Sequence, residues 1–165
     1  MEITVVFLAN YLHFFVFLGG GLLAWQLPPE KRTSFILTAL IALPLAFVLG
    51  EIAGLLFQNP RPFVELGVSP LVPHEANNGF PSTHALIAMT VAFTTFLYDR
   101  KIGWVLLGMA VLVGIGRVLA LVHSPLDVAG SALIAISATG VAFLIVQKVQ
   151  LDHTVSFQAQ KKTYE

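Results

Sequence analysis

The chain has 165 residues, 56% of them hydrophobic and only 11% charged, the size of a single domain with the composition of a membrane protein. Its 9 lysines and arginines balance 9 aspartates and glutamates, so no net charge recommends it to nucleic acid, and the lack of cysteine excludes disulfides and thiolate chemistry. Mean hydropathy is +0.82, and the 5 histidines are the side chains that titrate near neutral pH.

About 20 apolar residues cross roughly 30 Å of hydrocarbon, and this ruler predicts an all-α bundle of about five transmembrane helices. The first runs from about Ile3 to Leu27 and stops at Pro28-Pro29. It lacks the basic start and small-residue cleavage pattern of a secretion signal, so it is read as a retained helix. After a charged turn at Glu30-Lys31-Arg32, the second span reaches from Ser34 to about Phe57. The stretch from Gln58 to Phe80, rich in Pro, Asn and Gly, is loop by composition. A third span begins near Ser82 and ends before Asp99-Arg100-Lys101, a fourth covers about Ile102 to Val122, and a fifth about Pro125 to Val146. Residues 1–148 are thus expected to form the membrane domain and residues 149–165 a solvated polar tail.

If the chain alternates sides, Lys31, Arg32, Arg100, Lys101, Lys148, Lys161 and Lys162 share one face, which the positive-inside rule makes cytoplasmic. The N-terminus is then expected outside and the C-terminus inside, in a plasma membrane. Only Arg61 and Arg117 remain for the outer face. The same alternation gathers three polar clusters there: Gln58-Asn59-Pro60-Arg61-Pro62, Phe80-Pro81-Ser82-Thr83-His84, and Arg117 through His123 to Asp127.

Two arginines, two histidines, a serine and an aspartate at one membrane surface suit a phosphorylated ligand. The planar guanidinium matches phosphate oxygens and keeps its charge. Ser82 and Ser124 resemble helix N-caps, the latter followed by Pro125 at the favoured first position, so backbone N–H groups could also face an anion. Asp127, four residues after His123, can fold back to hold one ring nitrogen and leave the other as nucleophile or base. His84 has no sequence-near carboxylate and is better placed to donate a proton to a leaving group.

These residues resemble the type 2 phosphatidic acid phosphatase superfamily, whose signatures read K-x6-R-P, P-S-G-H and S-R-x5-H-x3-D. Arg61-Pro62 ends the first, Pro81-Ser82-Thr83-His84 matches the second, and Arg117, His123 and Asp127 keep the spacings of the third. QNPRPF with GFPSTHA is most similar to the bacterial branch that acts on undecaprenyl pyrophosphate. The resemblance implies a lipid phosphatase without metal or cofactor. In it His123 attacks phosphorus, Asp127 orients it and His84 protonates the departing oxygen, while Arg61, Arg117, Ser82 and the backbone at Thr83 hold the phosphate oxygens. Three positions depart from the pattern: Gly54 stands where the lysine falls, Thr83 for a glycine and Gly116 for a serine. His74 is the remaining candidate for a substitute cation on the outer face.

Singly, each residue has a plainer reading. Arg117 could snorkel to the interface, His123 and Asp127 could be a structural pair, His84 a satisfied helix-start histidine and Ser82 a simple cap. Glu51 is an intramembrane carboxylate and so a candidate by default, but it is expected to be protonated or hydrogen-bonded to Asn10 or His13, which are read as packing glue between helices. The function expected first is hydrolysis of undecaprenyl pyrophosphate at the outer surface. Hydrolysis of phosphatidylglycerol phosphate or phosphatidate is the nearest alternative, followed by an impaired member that only binds lipid phosphate and by a small anion-binding transporter or assembly subunit.

Overall fold

The structure is a computed structural model that describes residues 2–164, with side chains described as far as residue 151, so the side chains of His153, Lys161 and Lys162 lie outside it. The elements in chain order are α1 (Glu2–Asn10), α2 (Leu12–Gln26), α3 (Pro29–Leu56), α4 (Pro62–Leu66), α5 (Thr83–Tyr98), α6 (Arg100–Leu119) and α7 (Pro125–Tyr164). Among the described residues the fold is all-helical, apart from one isolated bridge between Pro60 and Asn78.

Helical segments stand in each of the expected spans, with differences that the local chemistry explains. The first is broken at Tyr11, where α1 and α2 meet at a bend of 43°. The charged triplet Glu30-Lys31-Arg32 is the first turn of α3 rather than a loop, because Pro29 fits the first helical position and Glu30 suits the positive end of the helix dipole. Arg32 reaches back to donate to the carbonyls of Trp25 (2.8 Å) and Leu27 (3.1 Å), which closes the α2 C-terminus. Asp99 caps α6 by accepting from the Ile102 N–H at 2.9 Å. The long loop contains the short helix α4 and ends against α5.

By length and apolarity, α3, α6 and α7 up to Leu151 can each cross a membrane, and the bent pair α1 and α2 can serve as a fourth crossing. The third expected span, α5, has 16 residues, or about 24 Å at 1.5 Å per residue. It is nonetheless the centre of the bundle and packs against α2, α3, α6 and α7. Leu86, Ala88, Met89 and Ala92 of α5 meet Val16, Leu106, Ala110, Val113, Ala135 and Ala138 in one buried cluster. Its many alanines let helices approach closely, as packing between apolar helices in lipid requires. Large apolar side chains such as Leu55 (81% exposed) and Leu56 (83%) cover the outside, a surface that suits hydrocarbon.

Helix α1 lies across the end of α6. A Cβ at Gly116 would stand 2.7 Å from the Ala9 nitrogen, so this contact excludes the expected serine and accounts for that departure. At the same end of the bundle, the loop before α5 and the connection between α6 and α7 come together.

Candidate active site

The three polar clusters converge. The connection from α6 to α7 turns at Leu121, a non-glycine residue with φ of 61°, and presents His123 just before Ser124 starts α7. Ser124 and Asp127 form a reciprocal cap: the Asp127 carboxylate accepts from the Ser124 N–H at 2.7 Å, and the Ser124 hydroxyl accepts from the Asp127 N–H at 3.2 Å. The expected N-cap at Ser124 is therefore present. Asn59 locks this turn by donating to the Ser124 Oγ (2.8 Å) and the Asp127 Oδ1 (2.7 Å).

His123 is 3% exposed. Its Nδ1 lies 2.7 Å from the Gly79 carbonyl oxygen and 3.5 Å from Asp127 Oδ2. A carbonyl only accepts, so Nδ1 carries the proton and Nε2 the lone pair. The sequence had suggested the carboxylate as the group that fixes the ring. The nearer acceptor is the Gly79 carbonyl, because Asp127 is also engaged by Ser124 and Asn59.

Both arginines face the free nitrogen. Arg61 Nη1 lies 3.4 Å and Arg117 Nη2 3.5 Å from His123 Nε2. Arg61 is held by the Val122 carbonyl (2.7 Å), Asn77 Oδ1 (2.9 Å) and the Asn78 carbonyl (3.2 Å). Arg117 is fully buried and donates to Asn10 Oδ1 at 3.0 Å. Its other terminal nitrogen lies 2.8 Å from His74 Nε2. Neither guanidinium forms a salt bridge among the described residues. Two buried positive charges thus meet at one histidine nitrogen with neutral hydrogen-bond partners only, offset from a distance by Asp127 and Glu75 on Arg61, an arrangement that favours an added anion. Burial above all, and then the two arginines, hold the His123 pKa below the usual histidine value against the opposing pull of Asp127. The ring is therefore neutral, with its lone pair available, near neutral pH.

His84 is the second residue of α5. Its ring meets the His13 ring edge-on at 4.8 Å between centroids, and it has no hydrogen-bond partner among the described residues. Ser82 occupies the N-cap position but makes no capping bond through its side chain. It is fully buried, and its hydroxyl has no partner among the described residues. Thr83 is exposed and, with Arg61, Glu51 and Gln58, lines a cavity of ≈ 360 Å³ between α3, the loop and α5. No group of three or more histidine, aspartate and glutamate side chains suited to hold a metal occurs among the described residues.

Several contributors were not assigned to the site by sequence. Asn78 ties the loop to α3: its Oδ1 accepts from the N–H groups of Asn59 (2.9 Å) and Phe80 (3.1 Å), and its Nδ2 donates to the carbonyls of Gly54 (2.8 Å), Phe57 and Phe80 (both 3.1 Å). Asn10 accepts from Arg117 and His13 packs edge-on against His84, so both contact candidate site residues as well as packing between helices. Among the described residues Glu51 bonds to neither of them and is exposed beside the cavity, so the expected hydrogen bond to Asn10 or His13 is not made. A lone Asn in an apolar span, facing the same end as an arginine, was the signal available for Asn10. Gly54 has a steric reason: a Cβ there would stand 2.9 Å from the Phe80 carbonyl oxygen.

A model of the PAP2 superfamily matches residues 33–151. The chain belongs to the PAP2 superfamily. The PAP2 match runs from α3 into α7 and so encloses all three clusters. Among curated proteins the chain is 37% identical to the bacitracin transport permease protein BcrC of Bacillus licheniformis, over 91% of this chain and 74% of that one. It is 34% identical to the undecaprenyl-diphosphatase BcrC of Bacillus subtilis, over 68% and 58% of the two chains, and 38% identical to an undecaprenyl-diphosphatase of Sulfolobus acidocaldarius, over 71% and 57%. The chain therefore spans about three quarters of the first of these relatives and less than two thirds of the other two. The crystal structure of Aquifex aeolicus LpxE is similar with a TM-score of 0.60 and 27% identity, covering 84% of this chain and 91% of that one. The PAP2 family and its helical fold are those that the sequence motifs had indicated.

Proposed function

We propose that the protein hydrolyses a lipid phosphate at the outer membrane surface, with undecaprenyl pyrophosphate as first substrate and a phosphohistidine as intermediate. The observation that carries this reading is the meeting of two buried, carboxylate-free guanidiniums at the unprotonated Nε2 of His123. A phosphoryl group beside that nitrogen supplies the anion the arginines lack, and it does so within reach of a nucleophile. The relatives named undecaprenyl-diphosphatase support the choice of a prenyl pyrophosphate.

In the first step the Nε2 lone pair forms a bond to phosphorus while the bond from phosphorus to the leaving oxygen breaks. His84, protonated from solvent once the anionic substrate is bound, gives that proton to the oxygen and becomes neutral imidazole, and the lipid phosphate departs. In the second step water attacks the phosphohistidine, His84 takes a proton from the water, and the P–N bond electrons return to Nε2 as inorganic phosphate leaves. Arg61 and Arg117 stabilise the phosphoryl oxygens throughout, joined by the Ser82 hydroxyl and the backbone at Thr83. Electrostatic clamps of this kind contribute about 3–4 kcal/mol per donor to the transition state. Asp127, through the turn it shares with Ser124, keeps His123 in place.

Residues 1–148 form the membrane domain on this reading, with the N-terminus outside, the site open to the outside, and residues 149–165 on the cytoplasmic side, as the distribution of lysine and arginine favours. The test is phosphate release from purified protein with a prenyl pyrophosphate, alongside His123→Ala. Expected are loss of release in the variant and an acid-labile phosphoryl label on wild type that the variant lacks. Equal release from both proteins would refute the mechanism. A wild type that binds the lipid but releases no phosphate would establish the lipid-binding alternative instead.

A further inference from the structure

The phosphate-facing side of Arg117 is covered by a side chain that the proposed chemistry does not use. His74 comes from the loop between α4 and α5. Its Nδ1 lies 2.8 Å from the carbonyl of Pro73, its own neighbour, and so carries the proton, while its Nε2 accepts from Arg117 Nη2 at 2.8 Å. The same Nη2 is the Arg117 atom that faces the His123 nucleophile, at 3.5 Å. The other terminal nitrogen is committed to Asn10. A phosphoryl oxygen bound to phosphorus at His123 therefore approaches Arg117 at the nitrogen His74 already occupies through one of its two N–H groups, while Arg117 Nε has no partner among the described residues. The two imidazole rings stand edge-to-face, 6.0 Å apart between centroids, which is contact distance for such a pair, so a phosphoryl group on His123 requires His74 to move aside.

We infer that His74 is a phosphate-binding residue that caps Arg117 in the free protein: the substrate phosphate displaces it from Arg117, and it then takes up a proton and donates to the phosphate. This rests on the reading of His123, Arg61 and Arg117 as a phosphate site. The exchange is favourable because an anionic oxygen is a stronger acceptor for a guanidinium than a neutral imidazole. Once phosphate covers the arginines, the charge that His74 faces changes from positive to negative, and imidazolium becomes its preferred form. The groups around it are Arg117 from α6, Arg61 before α4, His123 from the connection between α6 and α7, and Glu75 next to it on the loop. Burial first, and then Arg117 and Arg61, keep the His74 pKa below the usual histidine value, so it is neutral before phosphate arrives. The proton taken up comes from solvent, and binding accordingly tightens as pH falls.

The experiment uses the full chain in detergent and tungstate, a tetrahedral dianion. Binding is measured calorimetrically at pH 7.5 in two buffers that differ in ionisation enthalpy, which gives the number of protons taken up. His74→Phe should take up close to one proton fewer than wild type and bind roughly tenfold more weakly. His74→Lys should keep most of the affinity while also losing that proton, because its charge is already present. In turnover, KM for a lipid pyrophosphate should rise with pH in wild type and stay flatter in His74→Lys, with kcat less affected. Thermal unfolding checks both variants, and His74→Lys carries the test if His74→Phe does not fold. Equal proton uptake in wild type and either folded variant would overturn the inference, even with catalysis intact. Absence of phosphate release from wild type, or release equal to that of His123→Ala, would instead remove the phosphatase reading.

Discussion

Restoring a side chain at Gly54 should harm the protein. The family pattern places a lysine there, so sequence logic predicts that Gly54→Lys improves the phosphate site. The structure predicts the reverse. A Cβ on Gly54 would stand 2.9 Å from the Phe80 carbonyl oxygen, a main-chain atom that cannot rotate away. Exchanging a helical glycine for alanine gains about 1 kcal/mol of helix propensity, while overpacking a tight contact costs about 1–3 kcal/mol, so Gly54→Ala should be neutral to about 2 kcal/mol less stable. The effect on activity should exceed that. Phe80 follows Gly79, whose carbonyl holds His123 Nδ1 at 2.7 Å, and Asn78 bonds the Gly54 carbonyl while its own carbonyl holds Arg61. Pushing Phe80 outward therefore shifts the acceptor of His123 and a partner of one arginine together. Since a misplacement of about 1 Å costs about 100-fold, a shift of a few tenths of an ångström should lower kcat/KM about three- to tenfold in Gly54→Ala and further in Gly54→Lys. Phosphate release and thermal unfolding in the same detergent measure both effects. A Gly54→Lys protein as stable as wild type and more active would refute the reasoning.

Two other changes test the remaining contacts. Asp127→Asn puts an amide where one carboxylate accepts from both Ser124 and Asn59, so kcat should fall about 100-fold or more. Asp127 raises the His123 pKa, so its loss lets that pKa fall further. Activity is lost as pH drops through it, and the acid limb of the kcat/KM profile should move to lower pH; a move to higher pH would contradict the assignment of His123 as the neutral nucleophile. Asn10→Ala leaves a buried Arg117 N–H without its acceptor, which should cost about 1–3 kcal/mol of stability and lower kcat/KM about tenfold. A variant matching wild type in both unfolding temperature and turnover would return Asn10 to the role of a packing residue.

What the sequence disclosed were the side chains whose chemistry is rare in hydrocarbon. Arg61, Arg117, His123 and Asp127 stand out because charged and titrating groups there need a reason, and their spacing placed them together. The residues that orient them were harder to read. The Gly79 carbonyl belongs to the main chain and leaves no mark in composition. Asn59, Asn77 and Asn78 sit in a loop where asparagine is ordinary, and only the folded loop turns them toward Arg61 and Asp127. The break at Tyr11 contains neither proline nor glycine, so an apolar run reads through it as one helix. Glu30 to Arg32 show the opposite error: charge suggested a turn, although Pro29 followed by an acid is also how a helix begins.

Asn78 has a chemical consequence for the durability of the protein. Asn–Gly steps are where chains deamidate most readily, because an unhindered glycine nitrogen attacks the preceding amide. Here the Gly79 nitrogen donates to the Asn59 carbonyl at 2.8 Å, and the Asn78 amide is pinned at both ends. The fold thus protects the bond most prone to age. If the loop opens, conversion to aspartate replaces the nitrogen that donates to Gly54, Phe57 and Phe80 with an anion that repels all three carbonyls. Transient unfolding of this loop would then become permanent loss of the contacts that tie it to α3.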